Sequence, residues 1–265
     1  SGRIGGEIYS TSENKVFLFD NGANGSGRTN FTNTDADHVV IKGSILQDFI
    51  ISNSGGPITV NAGDGNDEIE IRNSKSDTVY GEDGNDIIYI NSSSLSSDTL
   101  LDGGNGSDWL AFGYRGGGEA VIYTLNSGVT RNFENVVGSG SDDTLTGYAS
   151  QNSLHGGSWN DMILGGDGDD LLYGDITQDG SGSVYQMDNG IGQGPAYGHS
   201  DTGNDTLRGQ AGDDTLYGAG GDDQLDGGIG SDTITTGSGS DTIILRAGDG
   251  GPELSDADII TDFTD

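Results

Sequence analysis

From residue 138 onward one large aliphatic side chain returns at every ninth position: Leu145, Leu154, Ile163 and Leu172, then, after an interruption, Leu207, Leu216, Leu225, Ile234 and Ile243. Each stands in the middle of a three-residue segment. Successive side chains of a strand alternate between faces, so such a segment turns one apolar group inward and its neighbours outward. Before each segment runs a polar, glycine-rich stretch, the composition of a turn whose backbone takes positive φ at little cost. Two consecutive units, with their two turns and two strands, make one coil of a flattened helix. Stacked coils form two parallel sheets with a thin row of Leu and Ile between them, each coil touching only its neighbours. The pattern predicts an all-β chain built as a parallel β-roll, or β-solenoid.

Composition sharpens this reading. Only 31% of the 265 residues are hydrophobic, 50 are glycine, and 43 acidic residues face 10 basic ones for a net charge of −33. So little apolar material cannot fill an ordinary core, and charge of that size opposes compaction. Without the period these would be the figures of a disordered acidic chain, but an unfolded tail has no reason to hold a nine-residue register. The same figures exclude whole classes. A nucleic-acid binder needs a basic footprint. No apolar run reaches the roughly 18 residues of a membrane span; the most apolar stretches, such as Val16–Phe19 and Phe49–Ile51, are strand-sized. The absence of cysteine removes a disulfide framework and a thiolate zinc site. The chain opens at Ser1 without a secretory leader pattern, which reads as a processed product or an excised fragment.

The sixth position of the units carries the chemistry. It is Asp143, Asp161, Asp170, Asp205, Asp214, Asp223, Asp232 and Asp241, with Asn152 as the exception. Sixth positions two units apart lie one above the other, which pairs Asp143 with Asp161, Asn152 with Asp170, Asp205 with Asp223, Asp214 with Asp232, and Asp223 with Asp241. Looping out an insertion near 175–199 leaves Asp161 over Asp205 and Asp170 over Asp214 as well. Superposed carboxylates repel unless cations lie between them. Carboxylate and turn-carbonyl oxygens suit a hard cation of high coordination number, and calcium fits best.

Residues 62–111 repeat less regularly. AGDGNDEIE (62–70), GEDGNDIIY (81–89) and GGNGSDWLA (103–111) fit the pattern well, whereas RNSKSDTVY (72–80) and SSLSSDTLL (93–101) keep the aspartate and the apolar residue but lose the glycines. Calcium is expected at Asp67 with Asp86, and further at Asp86 with Asp108 and Asp77 with Asp98. Uneven spacing of these aspartates calls for longer turns. Residues 112–137 read as connecting rungs and residues 1–61 as a β-rich cap or rungs without calcium repeats. The regular array fills 138–265.

The unit resembles the G-G-x-G-x-D-x-hydrophobic-x nonapeptide of the RTX (repeats-in-toxin, haemolysin-type) calcium-binding family; GGDGDDLLY (165–173) and GGIGSDTIT (227–235) fit at every constrained position. The resemblance implies a right-handed parallel β-roll with calcium ions between turns, calcium-triggered folding, and type I secretion from a Gram-negative bacterium. It also implies turn carbonyls as ligands beside the aspartates, such as those of Gly165, Asp167, Gly209, Ala211, Gly218, Gly220, Gly227 and Ile229. The segment FENVVG (133–138) resembles a strand that precedes such arrays, and DADIITDF (256–263) the stretch that follows them.

Catalytic signatures are absent. His38, His155 and His199 are scattered, with no HExxH pair and no GxSxG elbow. His155 reads as a solvated surface residue. Tyr80, Tyr89, Tyr173 and Tyr217, all at position nine, are expected to face outward, and with Trp109 and Trp159 they offer rings on which a glycan could stack. Trp159 replaces a turn glycine and argues against easy closure of the turn before Asp161. Tyr185, Met187, Tyr197 and His199 of the insertion are candidates for a partner contact. The reading is a non-enzymatic calcium-binding module of a secreted surface protein or adhesin, with a cell-surface glycan or surface protein as candidate partner. The alternatives are the non-catalytic carboxy-terminal module of a secreted protease, lipase or alginate epimerase, and a glycan-binding module.

Overall fold

A computed structural model describes residues 5–10, 15–20, 27–31, 38–52, 56–72, 76–91, 95, 98, 100–112, 119–175, 178–179, 183–184, 203–249 and 257–262. Among the described residues every regular element is a strand, and no helix is long and apolar enough to cross a membrane. Two units divide the chain. The first comprises Ser1–Tyr114 and Asn126–Phe133, and the second Arg115–Leu125, Glu134–Met187 and Gln193–Asp265.

In the first unit one sheet runs in the order β1 (Gly5–Ser10), β2 (Lys15–Asp20), β4 (Val39–Lys42), β6 (Ile58–Asp64), β8 (Thr78–Asp83), β10 (Leu100–Asn105) and β13 (Thr130–Arg131). Facing strands are β3 (Gly27–Phe31), β5 (Asp48–Ser52), β7 (Glu68–Ile71), β9 (Ile87–Ile90) and β11 (Trp109–Phe112). Apart from the antiparallel pair β1–β2, neighbours are parallel, as coils that advance one rung at a time require. Columns of aliphatic residues fill the space between the sheets. Val60, Val79 and Leu101 stack on one side, and Ile50, Ile69, Ile88 and Leu110 on the other, all buried. Successive coils advance by 19, 19 and 22 residues at Asp48, Asp67, Asp86 and Asp108, so the uneven aspartate spacing is taken up in longer turns.

One expectation is corrected here. Tyr89 does not face solvent; it is 1% exposed, and β7, β9 and β11 are buried at all four positions. Ile87–Ile90 and Trp109–Phe112 are continuous apolar runs, the composition of strands covered on both faces.

The second unit repeats the plan with greater regularity. One sheet is β12 (Ile122–Thr124), β15 (Thr144–Thr146), β17 (Met162–Asp167), β21 (Thr206–Ala211), β23 (Gln224–Ile229) and β25 (Thr242–Ile243). The other is β14 (Asn135–Val137), β16 (Ser153–Gly157), β18 (Leu171–Asp175), β22 (Thr215–Gly220), β24 (Thr233–Ser238) and β26 (Ile259–Ile260). Register advances by two nonapeptides per coil, as at Ser153↔Leu171 and Thr206↔Gln224. At the interruption Met162 pairs with Thr206 and Leu171 with Thr215, so the surplus chain leaves the stack and the next coil lands in place. Within that excursion β19 (Gln178–Asp179) and β20 (Ser183–Val184) pair antiparallel; Tyr185, Met187, Tyr197 and His199 lie outside the described residues. Leu145, Ile163, Leu207 and Leu225 form one buried column, and Val136, Leu154, Leu172, Leu216 and Ile234 the other.

The turns explain the glycines. In the unit 165–173 positions two and four, Gly166 and Gly168, have φ of 116° and 113°, where a side chain is strained. Trp159 adopts φ 81° at position four of its own unit, and the turn before Asp161 closes around it all the same, against the expectation from its bulk.

Candidate metal centre

Each turn leads into its strand through the sixth-position residue, which is therefore carried inward at the sheet edge. All the expected aspartates among 67–232 are buried there: Asp67, Asp77, Asp86, Asp98, Asp108, Asp143, Asp161, Asp170, Asp205, Asp214, Asp223 and Asp232, together with Asn152. Asp241, in the last coil, is half-buried. The structure brings together every pair expected from the spacing, and it shows how. The amide of one aspartate donates to Oδ1 of the aspartate one coil further on: Asp170 to Asp214 at 2.7 Å, Asp214 to Asp232 at 2.9 Å, Asp205 to Asp223 at 2.9 Å and Asp223 to Asp241 at 3.0 Å. The same bond joins Asp143 to Asp161, Asn152 to Asp170 and Asp161 to Asp205. In the first unit it joins Asp67 to Asp86 and Asp86 to Asp108 on one edge, and Asp77 to Asp98, at 3.4 Å, on the other. Asp48, outside the nonapeptides, starts the first of these ladders by donating to Asp67.

The second carboxylate oxygen decides what the turns can do. Oδ2 of Asp67, Asp86, Asp98, Asp170, Asp214, Asp223 and Asp232 is buried and accepts no hydrogen bond. A buried anionic oxygen without a partner is strongly unfavourable. Burial accordingly pushes these carboxyls far above the usual carboxylate range, to about 8 for Asp67, about 7 for Asp86, Asp98, Asp170 and Asp214, and about 6 for Asp223 and Asp232. Backbone amides pull in the opposite direction and lose.

Several of these oxygens point at first-position glycines and meet a carbonyl of the next coil there. A Cβ on Gly218 would fall 2.5 Å from Oδ2 of Asp223 and 2.5 Å from the Thr236 carbonyl. At Gly81 it would meet Asp86 Oδ2 and the Gly103 carbonyl; at Gly165, Asp170 Oδ2 and the Gly209 carbonyl; at Gly209, Asp214 Oδ2 and the Gly227 carbonyl. The carbonyl of Gly218 stands the same way over Gly174, and that of Gly165 over Gly147. Two of the expected third-position carbonyls each accept one backbone amide, which leaves a second lone pair on the oxygen. Ala211 accepts the amide of Gly168 and Ile229 that of Gly212, while Asp167 and Gly220 pair in register with Ala211 and Ser238. Among the described residues no three His, Cys, Asp or Glu side chains converge on a point that could hold a metal. Any ion must then be held by a carboxylate and backbone carbonyls together. That donor set, all oxygen and anionic, fits calcium and does not fit zinc or copper.

Two turns differ. Asp143 Oδ2 accepts the amide of Ser139, and its Oδ1 accepts the Ser139 hydroxyl and the Val121 amide. Asn152 Oδ1 accepts the Tyr148 amide at 2.8 Å, and its Nδ2 donates to the carbonyls of Glu134 and Gln151, each at 3.1 Å. Position two is Ser139 and Tyr148 in these turns, without the positive φ found at Gly166.

Sequence reasoning missed a second, exposed ladder at position five. Asn204 donates its amide to Asn160 Oδ1, Asp222 to Asn204 and Ser240 to Asp222; Asp213 donates to Asp169 and Ser231 to Asp213. The signal was present, since position five is Asp, Asn or Ser in most units.

The aromatic side chains are also redistributed. His155 is not a solvated surface residue; it is 7% exposed, and burial pulls its imidazole down to about 3, so it is neutral. Its ring lies 4.5 Å from that of Tyr173, which in turn stacks on Tyr217 at 4.7 Å and 7°. Tyr173 is the middle ring of this column, stacked face to face on Tyr217 and in tilted contact with His155. Trp109 is buried, and Trp159, 62% exposed, keeps an open face.

Coiled parallel sheets, buried sixth-position aspartates and glycine turns define a calcium-binding β-roll. The family described as the RTX calcium-binding nonapeptide repeat (4 copies) matches residues 73–91, 132–163, 152–179, 199–234 and 226–249. Across 73–249 the chain carries the repeats of that family, whose nonapeptides bind calcium. No curated protein matches the chain.

Proposed function

We propose that this chain is the calcium-binding β-roll module of a secreted bacterial surface protein or adhesin, and that it folds on calcium binding after export. The observation that carries the reading is the set of buried Oδ2 atoms without hydrogen-bond partners, four of which lie beside a backbone carbonyl of the next coil. Asp67, Asp86, Asp98, Asp170, Asp214, Asp223 and Asp232 would hold the ions, with the carbonyls of Gly103, Gly209, Gly227 and Thr236 beside Asp86, Asp170, Asp214 and Asp223. Bound calcium supplies positive charge where the apolar core is thin. Asp77, Asp108, Asp161 and Asp205 share the same burial and belong to the same ladders.

The chain's own residues account for the coupling. Where calcium is scarce, the carboxylates repel one another and oppose stacking. At the millimolar calcium outside a cell, sites of roughly 10⁻⁴–10⁻³ M affinity fill, and binding free energy becomes folding free energy. Calorimetric titration, with circular dichroism in calcium and in excess chelator, tests the proposal. It expects several bound ions and β signal that grows with calcium; equal β content in chelator and in calcium would overturn it.

A further inference from the structure

We infer that the coil 138–155 is a calcium-independent starter rung from which the calcium-dependent coils of the second unit are templated; this deepens the proposed function and rests on it. The self-satisfied turns of Asp143 and Asn152 are consecutive and together make one whole coil. Every oxygen of the Asp143 carboxylate has a donor within the protein, and Asn152 carries no charge. Neither turn needs a cation. The next coil opens with Asp161 and Asp170, and Asp170 Oδ2 is the first of that edge to lack a partner.

The core under this rung is also different. Val121, Tyr123 and Leu125, with Val136 and Val137, are all buried against the coil that bears Leu145 and Leu154. From Leu145 and Leu154 on, each half-coil among the described residues buries a single aliphatic residue, as far as Ile234. The metal-free turns of 138–155 therefore sit directly on the conventional apolar core of 121–125 and 134–137. Repeats contact only their neighbours, so a rung that stands without metal offers a ready edge to the coil that follows. The amides of Met162 and Leu171 dock directly on it, at the carbonyls of Asp143 and Asn152, each at 2.9 Å. In the first unit Asp48, at the start of its ladder, is capped in the same way by the Ser44 amide at 2.6 Å.

Hydrogen exchange on the full chain, in excess chelator and in saturating calcium, tests the inference. In chelator the amides of Leu125, Gly138 and Thr144, bonded to Thr146, His155 and Val121, are expected to exchange at least about tenfold more slowly than those of Thr215, Gln224 and Thr233; calcium then protects both groups. A double variant, Ser139→Gly with Asn152→Asp, should lose the difference in chelator and regain protection of both groups with calcium. Uniformly fast exchange in chelator, with full protection in calcium, would overturn the starter rung and leave the calcium-coupled fold standing. Uniform protection in chelator would overturn that fold itself.

Discussion

Replacing Asp214 by asparagine should change stability in opposite directions with and without calcium. Oδ1 of Asp214 accepts the Asp170 amide at 2.7 Å, and an amide oxygen can take over that bond. Oδ2 is buried and has no donor. Burial raises the Asp214 carboxyl from its ordinary 3.8 to about 7, so at pH 8 the ionised side chain destabilises the metal-free fold by at most roughly 4 kcal/mol. The asparagine Nδ2 can donate to the Gly227 carbonyl that faces the site, as Asn152 donates to Glu134. In chelator the variant should then keep at least as much β signal as the parent. In calcium it loses a ligand: at free calcium a hundred times the dissociation constant, one site contributes about 2.7 kcal/mol, and the variant should be less stable by about that amount. Urea unfolding followed by circular dichroism at pH 8, in chelator and in calcium, measures both effects. Equal destabilisation in the two conditions would refute the reasoning, because it would make Asp214 a structural hydrogen-bond acceptor and nothing more.

Acidification should partly replace calcium. The raised carboxyls bind more protons folded than unfolded, so their contribution to metal-free stability is complete below about pH 4 and is lost as pH rises through 6 to 8; β signal in chelator should rise as pH falls, and calcium binding at pH 7 should release protons measurable by calorimetry in buffers of different ionisation enthalpy. Deleting residues 176–201 joins Asp175 to Thr202 and gives the repeat GDTGNDTLR; calcium midpoint and melting temperature should stay within about twofold and a few degrees of the parent. Gly218→Ala places a methyl group 2.5 Å from Asp223 Oδ2 and should remove bound calcium at that edge, read as a lower stoichiometry. Trp109→Ala should act as a core truncation, lowering stability by about 3–5 kcal/mol in urea titrations, and a change confined to ligand binding would contradict its burial.

Most of the fold was legible because a nine-residue period fixes both where the chain turns and which residue faces inward. The excursion after Asp175 was legible for the same reason: Asp161 and Asp205 keep phase only if the intervening chain leaves the stack, and the amide of one donates to the other. What the period cannot show is how an aspartate divides its two oxygens. Spacing alone suggested ions between facing carboxylates, whereas in the ladders one oxygen accepts the neighbouring coil's amide and only the other remains for a cation. The difference between Asp170 and Asp143 was visible only indirectly, in Ser139 where the unit of Asp170 carries Gly166. Tyr89 and Trp109 were misplaced because the repeat template assigns alternate residues to solvent, and the unbroken apolar run Ile87–Ile90 outweighs it. His155 was misplaced because a position-nine ring can bury itself against the ring one coil away.

Locating calcium by anomalous diffraction from crystals grown at saturating calcium tests the central claim most directly. The expected map has peaks beside Oδ2 of Asp170, Asp214, Asp223 and Asp232 and none at the turns of Asp143 and Asn152. Bare edges along Asp170–Asp232 in such crystals would show that something other than metal neutralises the buried carboxylates, and would contradict the account.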